Sequence, residues 1–347
     1  MKKLANFFVR ENGKVICHLC PVECKLKDSQ AGSCGVRINN DGSLYTYTYG
    51  TLISFAVDPV EKKPLFHFLP GHRTFTIATP GCNLHCKGCQ NWEISQVKGT
   101  QVLGNSLFEN TYVPPEEVVN MAVDSGSESI SFSYTEPVIF YEYMFDIAKK
   151  AKDKGLKTIM VSALYIKEEP LEYLIDIIDA FSIDLKFFKE DSYKKYSGAK
   201  LEPILKNIKK LFKSNKWLEI TTLLVPQYLG KDQIKDIARW IAEELAPWVP
   251  WHISRFFPYH KAKDLPITPY EDMLYAYEAG KEAGLEYVYM GNIDTDRYEH
   301  TYCPSCGNLL IRRKVFYIME INLKGNRCPS CNYEIRGIFK SKSKTDS

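Results

Sequence analysis

The eleven cysteines of this 347-residue chain constrain its fold most tightly. They fall at Cys17, Cys20, Cys24 and Cys34, at Cys82, Cys86 and Cys89, and at Cys303, Cys306, Cys328 and Cys331, so they form groups of four, three and four with none left over. A disulfide framework belongs to small secreted domains, whereas C-x2-C spacings in a long chain point to metal or iron–sulfur ligation. The N-terminus offers only Leu4 to Val9, interrupted by Asn6, where a signal peptide needs a longer apolar core. No run approaches the ~18 apolar residues that span a bilayer. The sequence therefore predicts a soluble, cytoplasmic protein without membrane contact. Apolar residues at 45% and charged residues at 25% exclude a disordered or fibrous chain. The net charge of +3 is too small to argue for a polyanionic partner. Residues 301–347 nevertheless carry nine Lys or Arg against Glu320, Glu334 and Asp346, a local balance of +6. Attraction for an acidic partner, nucleic acid included, would reside there.

Between Thr74 and Asn292, short β-rich runs alternate with longer amphipathic stretches. The expected strands are 74–79, 129–134, 158–162, 181–185, 218–225, 252–256 and 287–290. The expected helices are 115–124, 138–154, 171–178, 204–212, 232–245 and 270–283. This alternation predicts an α/β fold of parallel βαβ units, a complete or partial βα barrel, with a doubly wound open sheet as the alternative. The domain boundaries follow: a four-cysteine, β-rich module over 1–70, a partial barrel over 71–295, a cysteine ribbon over 296–339 and a polar tail over 340–347.

The middle group, Cys82, Cys86 and Cys89, has C-x3-C-x2-C spacing on one loop directly after the first expected barrel strand. Three thiolates on a loop hold three corners of a 4Fe-4S cluster and leave the fourth iron open. The amine and carboxylate of S-adenosylmethionine (SAM) can chelate an open iron, and barrel enzymes place their chemistry on such strand-end loops. A zinc site completed by His85 or His72 is the alternative.

With these residues in view, the chain resembles the radical SAM superfamily, whose cluster motif is C-x3-C-x2-C. More narrowly it resembles the branch of pyruvate formate-lyase activating enzyme. It is most similar to the radical SAM member of the AmmeMemoRadiSam system, through Asp58-Pro59-Val60-Glu61-Lys62-Lys63-Pro64-Leu65 and Cys89-Gln90-Asn91. The resemblance implies a partial (βα)6-type radical SAM barrel and reductive cleavage of SAM to a 5′-deoxyadenosyl radical. It also implies a low-potential electron donor and hydrogen abstraction from a macromolecular substrate, as in activation of glycyl-radical enzymes. AMMECR-like and Memo-like proteins are the partners suggested by the narrower similarity.

The same resemblance carries site residues with it. Glu136, in Ser133-Tyr134-Thr135-Glu136-Pro137, would receive the SAM ammonium, although a Glu-Pro pair also reads as a helix N-terminus. Asp184 and Lys186 match the family's Asp-Leu-Lys, Val225 lies where the family packs adenine, and His260 follows Pro258-Tyr259. Ser162 completes the expected SAM site in Val161-Ser162-Ala163-Leu164, where activating enzymes have Asp-Thr-Asn-Gly. The missing carboxylate at Val161 argues against an activase-type cation site. Gly88 replaces an aromatic residue that normally packs on adenine, so that stacking must come from elsewhere.

The two outer groups differ in regularity. Cys303-Pro-Ser-Cys306 and Cys328-Pro-Ser-Cys331 are matching knuckles across a β-rich spacer and predict a closed zinc ribbon. Arg312, Arg313, Lys314 and Arg327 could serve docking or nucleic-acid contact, or could simply be solvated on a structural cap. Cys17, Cys20, Cys24 and Cys34 are less evenly spaced and suit either zinc or an auxiliary 4Fe-4S cluster.

Overall fold

The computed structural model describes residues 2–103 and 112–340. The polar tail, apart from Lys340, lies outside the described residues.

Two small antiparallel sheets come first. Strands β1 (Lys3–Leu4), β5 (Arg37–Asn40) and β6 (Ser43–Thr46) form one, in the order β1-β6-β5. Strands β2 (Phe8–Glu11), β3 (Lys14–Cys17) and β4 (Lys25–Leu26) form the other. Eight strands then build the main sheet: β7 (Ser54–Pro59), β8 (Arg73–Ala78), β9 (Ser129–Phe132), β10 (Lys157–Ser162), β11 (Ala180–Asp184), β12 (Trp217–Leu224), β13 (Trp251–Arg255) and β14 (Val288–Gly291). Their spatial order is their sequence order, and β8 to β14 are mutually parallel. A doubly wound sheet reverses its strand order part-way, and this sheet does not. Strand β7, placed with the N-terminal module by sequence, instead pairs antiparallel with β8 from Ser54–Ala78 to Pro59–Arg73, so the main sheet begins at residue 54.

The strands read as they do because both faces are covered. Every residue of β9 is buried, and so are all but one of β12, the pattern of parallel strands beneath helices. The helices are α1 (Trp92–Ser95), α2 (Gly99–Leu103), α3 (Pro115–Asp124), α4 (Tyr141–Asp153), α5 (Glu168–Ile177), α6 (Glu190–Ser197), α7 (Leu201–Lys213), α8 (Lys231–Trp240) and α9 (Tyr270–Glu282). Helix α7 shows the amphipathic logic: Ile204, Asn207, Ile208 and Leu211 recur at i, i+3, i+4 and i+7 and are its buried residues. Helix α6 was not anticipated. It is short and polar, and it ends where Gly198 takes a left-handed conformation (φ 70°), which glycine adopts without steric cost.

The N-terminal module is tied to the main sheet's helices by a buried ion pair. Arg37 on β5 meets Glu142 on α4 at 3.0 Å, each side chain 2% exposed. At the opposite end of the chain, β15 (Thr301–Tyr302), β16 (Leu309–Lys314) and β17 (Tyr317–Ile321) form a third small sheet. It packs Leu310, Ile311, Leu323 and Ile335 with Cys303 and Cys328 against Phe66, Tyr287 and Tyr289. This interface covers the N-terminal ends of the parallel strands. Here the structure corrects one expectation: Arg313 is 1% exposed and unavailable to a nucleic acid. Its guanidinium donates to Phe66 O (2.8 Å), Glu299 O (3.2 Å) and Thr301 Oγ1 (2.8 Å) and lies 4.2 Å from the Phe66 ring centroid. Arg312 and Arg327 face Glu320 and Glu334 at 3.8 and 3.9 Å. The local excess of charge is thus partly consumed in holding the cap.

Among the described residues, no helix is long and apolar enough to cross a membrane.

Candidate active site

The C-terminal ends of the parallel strands converge on one cavity of about 300 Å³. Cys82, Cys86 and Cys89 line it from the loop after β8, facing Glu136 after β9, Ala163 after β10, Asp184 and Lys186 at the end of β11, Thr221 and Leu223 from β12, Val225 just after it, and Ser254 from β13. Sequential parallel strands make this convergence possible, because each βα unit returns the chain to the same end of the sheet.

The three thiols are partly buried in the cavity wall. Burial raises Cys82 well above the usual thiol range and Cys86 to about 11, with Lys186 opposing the shift at Cys86. Free of metal, the Cys82 and Cys86 thiols stay protonated near neutrality, so metal loading must displace their protons. Local donors already face the sulfurs: Leu84 N donates to Cys82 Sγ at 3.4 Å, and Ser95 Oγ lies 3.3 Å from Cys89 Sγ. Lys186 Nζ is paired with Asp184 Oδ2 at 2.8 Å, which sets a cation and an anion side by side on the cavity wall.

Glu136 is 4% exposed. Its Oε1 accepts from Ser162 Oγ (2.5 Å) and more weakly from Val138 N (3.4 Å), and its Oε2 accepts from Ala163 N (3.0 Å). It caps the 3-10 turn Pro137–Phe140. The helix-cap reading and the cavity reading therefore coincide in one side chain. Burial pushes its carboxyl up to about 7 against the lowering effect of these hydrogen bonds. A carboxylate at this position lacks a cationic partner among the contacts just described and still has acceptor capacity toward the cavity. Ser162 stands behind Glu136 and also accepts from Leu164 N at 2.9 Å, so it orients the carboxylate and does not line the cavity. Val225 is on the wall. His260 stacks on Trp92 at 4.9 Å between centroids and is not among the lining residues.

Gly88 has a structural reason. A Cβ there would fall 2.4 Å from the Tyr196 hydroxyl and 2.8 Å from the Phe256 ring. Tyr196 from α6 and Phe256 after β13 thus occupy the space an aromatic residue at position 88 would take, and both line the cavity. Sequence reasoning missed both, because they lie over a hundred residues from the motif they complete.

The segment Asp58 to Leu65 also gains a role. Asp58 Oδ2 accepts from Tyr134 Oη (2.6 Å), Lys63 Nζ (2.7 Å) and Thr76 Oγ1 (3.0 Å), and Oδ1 accepts from Lys62 Nζ (2.8 Å). Burial works against ionisation of Asp58, but these donors hold its carboxyl below the usual range. Tyr134, fixed in this way, takes a positive φ of 66° and accepts from Asn91 Nδ2 at 2.7 Å through its carbonyl. The network locks the cysteine loop's exit to the strand end that presents Glu136.

A family model described as the radical SAM superfamily matches residues 76–241, which contain the three cysteines, Glu136 and Asp184 to Lys186. The chain belongs to the radical SAM superfamily. An uncharacterized protein of Methanocaldococcus jannaschii is 41% identical over 330 residues, covering 94% of this chain and 96% of that relative. The 4-hydroxyphenylacetate decarboxylase activating enzyme of Clostridium scatologenes is 24% identical over 150 residues, covering 42% of this chain and 47% of the relative. Among solved structures, a domain of pyruvate-formate lyase-activating enzyme from Bacteroides vulgatus is 18% identical with a TM-score of 0.43, covering 48% of this chain and all of that domain. Membership in the radical SAM superfamily implies a 4Fe-4S cluster and SAM. The donor set fits them: three thiols on one loop, a buried carboxylate and an adjacent Asp–Lys pair share one cavity.

The ribbon cysteines present a different geometry. Cys303 and Cys331 sulfurs lie 3.5 Å apart, those of Cys306 and Cys328 lie 3.7 Å apart, and all four are within 4.8 Å of one another. A tetrahedral ion with metal–sulfur bonds of ~2.3 Å needs its sulfurs ~3.8 Å apart. The cluster therefore suits a single ion with no open position.

Proposed function

We propose that this radical SAM protein holds its cluster on Cys82, Cys86 and Cys89 and binds SAM between Glu136 and the Asp184–Lys186 pair, in order to abstract hydrogen from a macromolecular substrate. The observation that carries the reading is the convergence of these six side chains on one cavity at the strand ends. When bound, the cluster would supply reductive cleavage of SAM to a 5′-deoxyadenosyl radical. The residues of the chain supply everything else. Glu136 receives the ammonium through a charge-assisted hydrogen bond, with Ser162 and Ala163 fixing the carboxylate. Asp184 accepts from SAM hydroxyls while Lys186 compensates the charge of the thiolates. Val225, Tyr196 and Phe256 give the adenine an apolar and aromatic wall, replacing the side chain that Gly88 lacks. Exclusion of water and oxygen falls to the covered cavity walls.

Activase-like chemistry on a partner protein is the finer reading, supported by the similarity to the Clostridium scatologenes activating enzyme. A shared process with AMMECR-like and Memo-like proteins is the narrower possibility within the same chemistry. We further assign a partial barrel to the sheet and zinc to the ribbon ion. Anaerobic incubation of the reconstituted protein with SAM and a low-potential reductant, with and without candidate partner proteins, tests the proposal. The expected result is 5′-deoxyadenosine whose yield rises with the true partner. Equal yields with all protein partners and a rise only with a metabolite would overturn the macromolecular substrate.

A further inference from the structure

We infer that Cys17, Cys20, Cys24 and Cys34 hold a second iron–sulfur cluster, a four-thiolate 4Fe-4S centre that passes single electrons to the site on Cys82, Cys86 and Cys89. The electron-transfer half of this inference rests on the function proposed above, whereas the metal assignment does not.

All four N-terminal cysteines line one small cavity with Leu19, Leu26, Arg37 and Ile139. Among the described residues, only the ribbon thiols form a group packed within 4.8 Å as one ion requires. The N-terminal thiols surround a common space at wider separation. A cubane places each thiolate on a different iron and so spreads its ligands, while a single tetrahedral ion gathers them. Four thiolates fill every iron corner. Such a centre has no position left for SAM or substrate, which suits it to electron transfer.

The surroundings are those of a charged cluster buried in protein. Ser33 N donates to Cys24 Sγ at 3.3 Å, and backbone N–H groups of Val22 and of Val36 and Arg37 face Cys20 and Cys34. The buried Arg37 guanidinium lies near Cys17 and Cys34 while its other side is paired with Glu142. Hydrogen bonds to sulfur and a nearby cation stabilise the more negative, reduced state of a cluster.

Its position decides the role. Asn83, the residue next to Cys82, is 1% exposed and lines the N-terminal cavity beside Cys20, so one residue separates the two ligand sets. Gly81 on the other side of Cys82 has φ 98°, and a Cβ there would sit 2.8 Å from Cys34 O. Within the cysteine loop, His85 Nε2 lies 2.8 Å from Ser33 Oγ, next to Cys34. Three successive contacts thus press the two loops together. A structural metal could stabilise the module from anywhere within it, and nothing in that role calls for this abutment.

The electron balance is simple. A protein donor of the ferredoxin class gives one electron, taking the N-terminal cluster from its 2+ to its 1+ state. That electron then moves to the neighbouring cluster, and the first returns to 2+ with no bond or proton change.

The test uses the full chain carrying Cys86→Ala, which removes a ligand of the central site, reconstituted anaerobically and freed of loose metal. The N-terminal centre alone should then retain about four iron and four sulfide per chain. Reduced ferredoxin should produce the electron paramagnetic signal of a reduced cubane in this variant. A second variant with Cys20→Ser and Cys24→Ser in the otherwise native chain should lose about four of roughly eight iron atoms. Finding two zinc ions per chain and no iron in the Cys86→Ala protein would overturn the metal assignment. A cubane that forms but is not reduced by ferredoxin would overturn the relay. Both results are independent of whether SAM is cleaved, so they separate failure of this inference from failure of the proposed function.

Discussion

Replacing Glu136 by Gln removes one charge while preserving most of the local geometry, and its effect on SAM binding can be worked out in advance. The side-chain oxygen can still accept from Ser162 Oγ, now at 2.5 Å. The amide nitrogen would face the Ala163 N–H, which donates to Oε2 at 3.0 Å in the native protein. That mismatch should lower stability by about 1–3 kcal/mol, the usual cost of a buried donor left unsatisfied. Loss of the partner of a desolvated ammonium costs roughly 2–5 kcal/mol, which weakens binding by at least about 30-fold. A pH signature distinguishes the two effects. Burial holds the Glu136 carboxyl at about 7. SAM affinity of the native protein should therefore fall about tenfold between pH 8 and pH 6, as the carboxylate takes up a proton. The Gln variant should be weak and flat across that range. Calorimetric titration of SAM into cluster-loaded protein, with melting temperature measured in parallel, makes the comparison. Native-like affinity in the variant, or an unchanged pH slope, would refute the ammonium contact and leave Glu136 as a helix cap.

Two further perturbations probe the site wall and the cap. Gly88→Ala should weaken SAM binding and lower stability by about 1–3 kcal/mol, because its Cβ meets Tyr196 and Phe256 at 2.4 and 2.8 Å. Adding Tyr196→Phe removes the nearer atom and should restore part of the loss, and strictly additive effects would count against this packing. His67 is fully buried between Tyr289 Oη (2.6 Å) and Arg336 O (2.8 Å), and burial lowers its pKa to about 4. The neutral ring's contribution should be complete above the unfolded value of ~6.5 and lost as pH falls toward about 4, a change of about 3 kcal/mol. Denaturant titrations of native and His67→Gln protein from pH 7.5 to 4.5 should converge at the acid end, and parallel curves would contradict the assignment.

Much of this architecture was legible because it depends on local pattern. Buried strands such as Ser129–Phe132, and Ala180–Asp184 up to its last residue, show as β-rich runs, and Pro115 marks the start of α3 at its first helical position. The spacing of Cys82, Cys86 and Cys89 after an expected strand already grouped three thiols that share one cavity in the structure. What escaped was set by distant partners. Strand β7 joins the main sheet only because β8 offers it an edge, and nothing within residues 54–59 distinguishes that edge from one in the N-terminal module. Tyr196 and Phe256 matter through the space that Gly88 leaves. Arg313 reads as a surface charge in a basic stretch, yet carbonyls of Phe66 and Glu299 hold it in the interior. Ser162 was placed in the cofactor site by similarity, and its hydroxyl is spent on Glu136.

The central claim is that three thiols on the loop after β8 support SAM cleavage at the cavity formed by the strand ends. The most direct measurement is 5′-deoxyadenosine formation by anaerobically reconstituted protein, native and Cys86→Ala, under one low-potential reductant. Native protein should form the product, and the variant should form none while retaining the ribbon's metal. Product formation by the variant at the native rate, or none by native protein carrying a complete central cluster, would contradict the account.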